Sequence, residues 1–279
     1  MAHPPAGTGR ESLLAHAFPL ADRLSAIGVK MERLLGSGSH PGSSLRTERG
    51  QAREDWTDEA FVRDWLRRQE ERAPERQRQF SMLCSLMPYS PGDAFRYLDL
   101  AAGDGSLDDM LLRRFPKAEA TILDGSPVMV KIAGERFRHL GGRVSVVQGD
   151  LETPIWRDAI KPSFDIAVSS IALHNLEDPL RIRALYGEVF DILSDSGFFM
   201  NLDYVRAPSH ALWPLYQHAT RSADSGFSMG IRSLRDYAGS VDEQLGWLRE
   251  AGFGPVDCFW REFRLAIFGG FKGSVRLAS

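Results

Sequence analysis

The stretch Leu98-Asp99-Leu100-Ala101-Ala102-Gly103-Asp104-Gly105-Ser106-Leu107 decides the fold. A short apolar run, Tyr97 to Leu100, breaks at Gly103 and Gly105, which remove side chains where the backbone must turn sharply and let a ligand approach main-chain N–H groups. Beyond the turn, Leu107, Met110, Leu111 and Phe115 recur at helical spacing. Strand, glycine turn and helix in that order open a parallel α/β sheet. The dinucleotide fingerprint is not met, because its third glycine position holds Asp108, whose carboxylate would repel a pyrophosphate. No Gly-Lys-Ser/Thr follows either, so a Walker loop is excluded.

Downstream, short apolar runs alternate with amphipathic stretches, the pattern of a parallel sheet with crossover helices. Strands are expected at 97–100, 120–123, 144–148, 164–169 and 197–202, with a helix marked by Ile182, Leu185, Val189 and Leu193. Ser240 and Glu243 form a capping box for a late helix that stops at Gly252. Two closing strands, 255–260 and 264–268, are joined by so few residues that they must be antiparallel. In such a sheet ligands bind outside the carboxyl ends of the strands. Leu123-Asp124-Gly125-Ser126 places an acid where it can accept hydrogen bonds from both hydroxyls of a ribose, and Gly149-Asp150-Leu151 repeats the arrangement after the third strand. Each acid alone reads equally as a helix cap, and Asp124 or Ser126 can cap the next helix; three such loops in this order read as a site.

Composition bounds the rest. With 279 residues, 43% hydrophobic and 25% charged, the chain can bury a sizeable core. Its net charge of -3 offers no global attraction to polyanions, which disfavours nucleic acid as a partner. There is no apolar run long enough for a membrane span, and the first 20 residues lack a secretory signal's apolar core, so a cytoplasmic protein is expected. Cys84 and Cys258 are far apart and no paired acids and histidines stand at ligand spacing, so neither a disulfide framework nor a metal is expected. Residues 1–55, rich in Pro, Gly and Ser, read as a flexible arm with one short helix within 12–35. Thr57 is a candidate cap for a helix over 58–73, and Pro74 suits the first turn of a second helix ending before Pro88. Nine arginines meet nine acids between Arg46 and Arg78, a balanced solvated face. Hence the expected organisation is an arm at 1–55, a helical cap at 56–90 and a main domain at 91–279 carrying an insertion at 206–239.

On these loops, residues 92–272 resemble a class I S-adenosylmethionine-dependent methyltransferase. The resemblance implies a Rossmann-like α/β fold, with a mostly parallel seven-stranded sheet, an antiparallel last strand, helices on both faces and the first and fourth strands side by side. It implies S-adenosylmethionine as methyl donor. Asp99, Ala101, Gly103 and Gly105 would face the methionyl part, with Ala101 standing where the family more often has a glycine. Asp124, Gly125, Ser126 and Met129 would hold the ribose and one edge of the adenine; Gly149, Asp150 and Leu151 would meet its ring and amino group. For Met129 core filling is the competing reading.

The fourth-strand loop, Val168-Ser169-Ser170-Ile171-Ala172-Leu173-His174-Asn175, lies beside the methionyl moiety in the resembling family and brings Ser169 to the donor. His174 is the candidate base, since imidazole ordinarily titrates near neutral pH; stacking on the donor or capping the helix near Asp178 is the alternative. Asn201, Asp203 and Tyr204 end the fifth strand toward the same crevice, with capping and solvent contact as their competing roles. Trp213, Tyr216, His218, Phe227 and Met229 make 206–239 too aromatic for a plain loop and suggest a lid over an acceptor pocket. A small-molecule acceptor is the expected partner. RNA methylation and a non-catalytic donor-binding subunit are the alternatives, and oligomeric state is open.

Overall fold

The structure, a computed structural model, describes residues 55–222 and 239–275. The expected arm before Asp55, its helix within 12–35, and Phe227 and Met229 of the insertion lie outside the described residues. No helix among the described residues is long and apolar enough to cross a membrane.

Two helices lead in, α1 (Glu59–Glu70) and α2 (Ala73–Ser85). The cap of α1 is Asp58, whose carboxylate accepts from the Ala60 N–H at 2.8 Å, and not Thr57 as the sequence suggested. Thr57 instead donates its hydroxyl to Asp55 Oδ1 at 2.6 Å, and it is Asp58, directly before the first helical residue, whose side-chain oxygen meets the first free N–H groups. Helix α2 starts with Pro74 in its first turn, where the missing N–H costs nothing.

The main domain runs β1 (Arg96–Leu100), α3 (Ser106–Arg114), β2 (Glu119–Asp124), α4 (Pro127–Phe137), β3 (Val144–Gln148), β4 (Phe164–Ser170), α5 (Pro179–Ile192), β5 (Leu193–Tyr204), α6 (Trp213–Ser222), α7 (Val241–Glu250), β6 (Val256–Glu262) and β7 (Leu265–Phe271). These strands form one sheet in the order β3-β2-β1-β4-β5-β7-β6. β1 to β5 pair in parallel, and β7 runs antiparallel to both β5 and β6. Chain order reverses between β1 and β4, which opens the crevice at the carboxyl ends of the strands. β5 begins at Leu193, not near 197, because the polar Ser194-Asp195-Ser196 looks like a turn in sequence yet pairs past an irregularity opposite Phe164. Gly269 lets β7 close on β5: a Cβ there would lie 1.9 Å from the Phe199 carbonyl oxygen.

Strand alternation sorts the core into two layers. Tyr97, Ile122, Val168, Met200 and Ile267 pack with Phe80, Leu83 and Cys84 of α2 and with Leu107 and Leu111 of α3. Leu98, Leu123, Ala167, Phe199 and Phe268 pack against α5 and α7 through Leu185, Val189 and Leu248. The N-terminal helices are therefore part of the domain's core: burying side chains such as Phe80 and Leu83 contributes about 1.5–3 kcal/mol each. Further along, Arg78 of α2 pairs with Glu262 and lies over the Trp260 ring, which ties the helix to the β6–β7 hairpin.

Candidate functional site

The loop after β1 is built on positive φ angles. Ala101 stands at φ 54°, Gly103 at 62° and Gly105 at 77°. Such angles favour glycine, so the alanine carries strain at the first position. A Cβ on Gly103 would meet nothing within 4 Å, leaving a bare rim. At Gly105, by contrast, it would lie 2.4 Å from the Phe137 ring, so this glycine serves close packing of α3 on α4. Asp104 is fixed by Arg136 Nη2 at 2.5 Å and by the Ser106 hydroxyl at 2.7 Å.

Asp99 sits beneath the loop with no exposed surface, because β1 alternation turns it to the same layer as Tyr97. There it meets Asp108, also fully buried. None of the four carboxyl oxygens, nor the Tyr97 hydroxyl, has a hydrogen-bond partner at standard geometry, yet each group perturbs the others' protons. Burial, then the neighbouring Asp108, holds the Asp99 carboxyl well above its ordinary range. Burial pushes Asp108 up to about 7, with Tyr97 and Asp99 opposing. Two adjacent carboxyl groups in a dry layer cannot both ionise cheaply, so the pair retains a proton near neutrality.

Asp124 ends β2 at the rim. Its Oδ2 accepts from the Gly103 N–H at 2.7 Å and its Oδ1 from the Ser126 N–H at 2.8 Å, which locks the carboxylate and joins two loops. Burial nevertheless raises its pKa against those two bonds. The cap of α4 is Ser126 and not Asp124: its hydroxyl accepts from the Met129 N–H at 3.2 Å and donates to the Trp56 carbonyl at 2.5 Å. Both hydroxyl roles of Ser126 are thus engaged within the chain, and Met129 is buried.

The third loop hangs on the second. Gly149 N–H donates to the Asp124 carbonyl, and a Cβ on Gly149 would press into Leu123 at 2.9 Å. Asp150 remains exposed and accepts from the Glu152 N–H at 2.9 Å in a tight turn. Leu151 is buried, and its carbonyl takes a 2.6 Å hydrogen bond from Arg181 Nε. Arg181 donates two hydrogen bonds to the Glu188 carboxylate, from Nη1 at 2.6 Å and Nη2 at 2.7 Å, and the Trp156 indole donates to the same carboxylate at 2.6 Å. Burial raises the Glu188 pKa, but these donors outweigh it and hold the carboxyl below its usual range.

The fourth loop carries His174, the candidate base. Ser169 is fully buried and its hydroxyl donates to the Leu100 carbonyl at 2.8 Å, knitting β4 to β1 at the point where the strand order reverses. His174 lies in a short 3-10 turn, Leu173–Leu176. Its main-chain N–H donates to Asp203 Oδ2 at 3.0 Å, and its ring Nδ1 lies 2.6 Å from Asp203 Oδ1. A carboxylate only accepts, so Nδ1 carries the hydrogen and the basic lone pair is on Nε2. The edge of the Tyr204 ring meets His174 at 5.3 Å and 79°. Helix capping is not the histidine's role, since Asp178 caps α5 by accepting from the Leu180 N–H. Asn201 is buried in β5, its Oδ1 without a hydrogen-bond partner at standard geometry.

Within the insertion, α6 lies on the β6–β7 turn: Arg264 stacks on Trp213 at 4.4 Å, and Arg261 donates to the Tyr216 hydroxyl at 3.1 Å. Sequence reading missed Trp56, which reaches Ser126, and Arg76 of α2, whose neighbours are Asp104 and Tyr204. Neither sits in a motif: Trp56 lies in the turn before α1, and Arg76 is on α2. Among the described residues no group of three His, Cys, Asp or Glu is placed to hold a metal ion.

A seven-stranded, mostly parallel sheet with an antiparallel last strand, a bare glycine rim and an anchored acid after β2 defines a Rossmann-like nucleoside-binding enzyme of the methyltransferase type. A methyltransferase-domain family matches residues 98–197. The chain is 31% identical to the ubiquinone/menaquinone biosynthesis C-methyltransferase of Dinoroseobacter shibae over 182 residues, covering 60% of this chain and 69% of that one. It is 41% identical to the trans-aconitate 2-methyltransferase of Mycobacterium tuberculosis over 81 residues, 29% of this chain and 27% of that one. An O-methyltransferase family protein from Burkholderia thailandensis shares the fold with TM-score 0.61 and 19% identity, over 78% of this chain and 62% of that structure. The chain thus spans less than two thirds of the length of the last two. It belongs to the class I S-adenosylmethionine-dependent methyltransferases, and S-adenosylmethionine is its methyl donor. The rim fits that molecule: Asp124 is held by one N–H on each oxygen, which leaves lone pairs for a diol, and nothing fills the space beside Gly103.

Proposed function

We propose that this chain methylates a hydroxyl or enolic oxygen of a small organic acceptor, with His174 as general base and Asp203 as the residue that positions it. The observation that carries this reading is the His174–Asp203 pair, 2.6 Å long, at the carboxyl ends of β4 and β5. Asp124 would hold the donor's ribose hydroxyls, Gly125, Asp150 and Leu151 its adenine side, and Ala101 and Gly103 its methionyl side. Bound there, S-adenosylmethionine supplies a methyl group already activated by its sulfonium. The protein's own task is to align the acceptor and to remove its proton. His174 accepts that proton at Nε2, and the Asp203 carboxylate stabilises the resulting imidazolium while fixing the ring's orientation. Asp99, Gly105, Ser126, Gly149 and Ser169 shape the loops from below, each engaged in packing or hydrogen bonds inside the chain. Two of the relatives are named for ubiquinone/menaquinone biosynthesis and for trans-aconitate, which supports an organic metabolite over nucleic acid as acceptor.

The test is calorimetry with S-adenosylhomocysteine, followed by transfer of a labelled methyl group to a panel of phenols and enols. Asp124→Ala should weaken product binding at least about tenfold, the worth of a hydrogen-bonded charge. Asp203→Asn should lower kcat by about 100-fold or more while leaving that affinity within twofold, since it disturbs the base alone. Binding without transfer to any acceptor, or salt-sensitive methylation of RNA, would overturn the reading.

A further inference from the structure

Arg76 of α2 is half-buried and makes no ion pair among the described residues. Its neighbours on the same two helices are paired: Arg63 with Glu59, Arg67 and Arg68 with Asp64, Arg78 with Glu262. Among the described residues no carboxylate lies within ion-pair distance of Arg76, and its Nε is buried without a hydrogen-bond partner. Nη1 donates to Gln69 Oε1 at 3.1 Å, and the guanidinium lies 5.6 Å from the Trp65 ring and 5.3 Å from the Phe80 ring. Burial disfavours its charged form, opposed by Asp104 of the loop after β1 and Tyr204 at the end of β5. Tyr204 also feels Arg72, Glu75 and Asp203, and its ring touches His174. Glu75, the one acid on this turn of α2, is turned to Gln79 Nε2 at 3.2 Å instead.

A desolvated guanidinium beside apolar rings is costly unless an anion completes it, and its planar fork suits a carboxylate. We propose that Arg76 recognises a carboxylate on the methyl acceptor, one set apart from the oxygen that receives the methyl group. This inference rests on the proposed methylation at His174 and adds the substrate class: a hydroxylated organic acid, its carboxylate toward α2 and its hydroxyl toward His174. The competing role is structural, the arginine bridging Trp65 of α1 and Phe80 of α2 by stacking alone.

The experiment uses the full chain with 2-, 3- and 4-hydroxybenzoate, 4-hydroxycinnamate and the neutral methyl ester of each. Calorimetry measures binding to the protein saturated with S-adenosylhomocysteine; labelled donor measures transfer. For at least one pair the wild-type protein should favour the acid over its ester by about 10–100-fold in kcat/KM and in affinity, the range of a hydrogen bond to a charged group. Arg76→Gln should bring that ratio to within a few-fold, with the loss in KM for the acid, an unchanged kcat and unaltered affinity for S-adenosylhomocysteine. Arg76→Lys should retain a reduced preference. Equal use of acids and esters by the wild-type protein overturns the proposal without any variant and leaves the methylation reading standing. A preference that persists in Arg76→Gln overturns it as well. Absence of transfer to every member of a broad phenol and enol panel is the separate failure of the methylation reading, and would remove this proposal with it.

Discussion

Replacing Asp108 with asparagine should make the folded protein more stable at pH 8 than the parent, and no different at pH 4. The carboxyl of Asp108 is fully buried beside Asp99 and is pushed up from 3.8 to about 7. An unfolded chain releases this proton near pH 4, whereas the folded chain holds it to about 7, so the folded state binds more protons between those values. Stability therefore falls as pH rises through that window and levels off above it. At about 1.4 kcal/mol per unit, a rise of roughly three units corresponds to a penalty on the order of 4 kcal/mol at alkaline pH, an upper bound because Asp99 shares the strain. Asparagine keeps the shape and has no proton to lose. In a domain of this size that difference should raise the Tm by on the order of 10 °C at pH 8. Thermal unfolding of both proteins from pH 4 to 8.5 at constant ionic strength measures it. Parallel curves, or a variant less stable than the parent at pH 8, would refute the picture of a protonated pair beneath the loop.

Two further outcomes follow from the loops. Ala101→Gly should raise stability by about 0.5–1 kcal/mol, because relief of the positive φ exceeds the extra entropy of glycine in the unfolded chain; a lowered Tm would count against strain at this residue. Glu188→Gln leaves the Arg181 guanidinium buried without its counter-charge and should cost about 3 kcal/mol in urea unfolding. It should also weaken S-adenosylhomocysteine binding several-fold, since Arg181 fixes the Leu151 carbonyl; intact stability would show the pair to be dispensable.

Much of this protein is written locally. The alternation of short apolar runs with amphipathic stretches gave the strand and helix order, and the capping box at Ser240 and Glu243 is present as read. Strand ends and caps were less legible where two neighbouring residues can do the same job, as with Thr57 and Asp58, or where a polar triplet inside a strand mimics a turn, as at Ser194 to Ser196. Of the rim, Gly103 and Asp124 stand out in the sequence because a bare turn and an acid after a strand depend only on adjacent residues.

Partnerships across the chain are a different matter. The hydroxyl of Ser126 binds Trp56, 70 residues earlier, and that of Ser169 binds Leu100, 69 residues earlier, so two residues that looked available to a ligand are engaged inside the chain. Asp203 reaches His174 from 29 residues away, and Arg76 meets Tyr204 only because α2 packs on the sheet. Local periodicity and turn chemistry are properties of neighbouring residues and survive in a string of letters. Which oxygen is already bonded, which carboxyl lies in a dry layer and which arginine lacks a counter-charge depend on through-space distance and loss of water, and those exist only once the chain has folded.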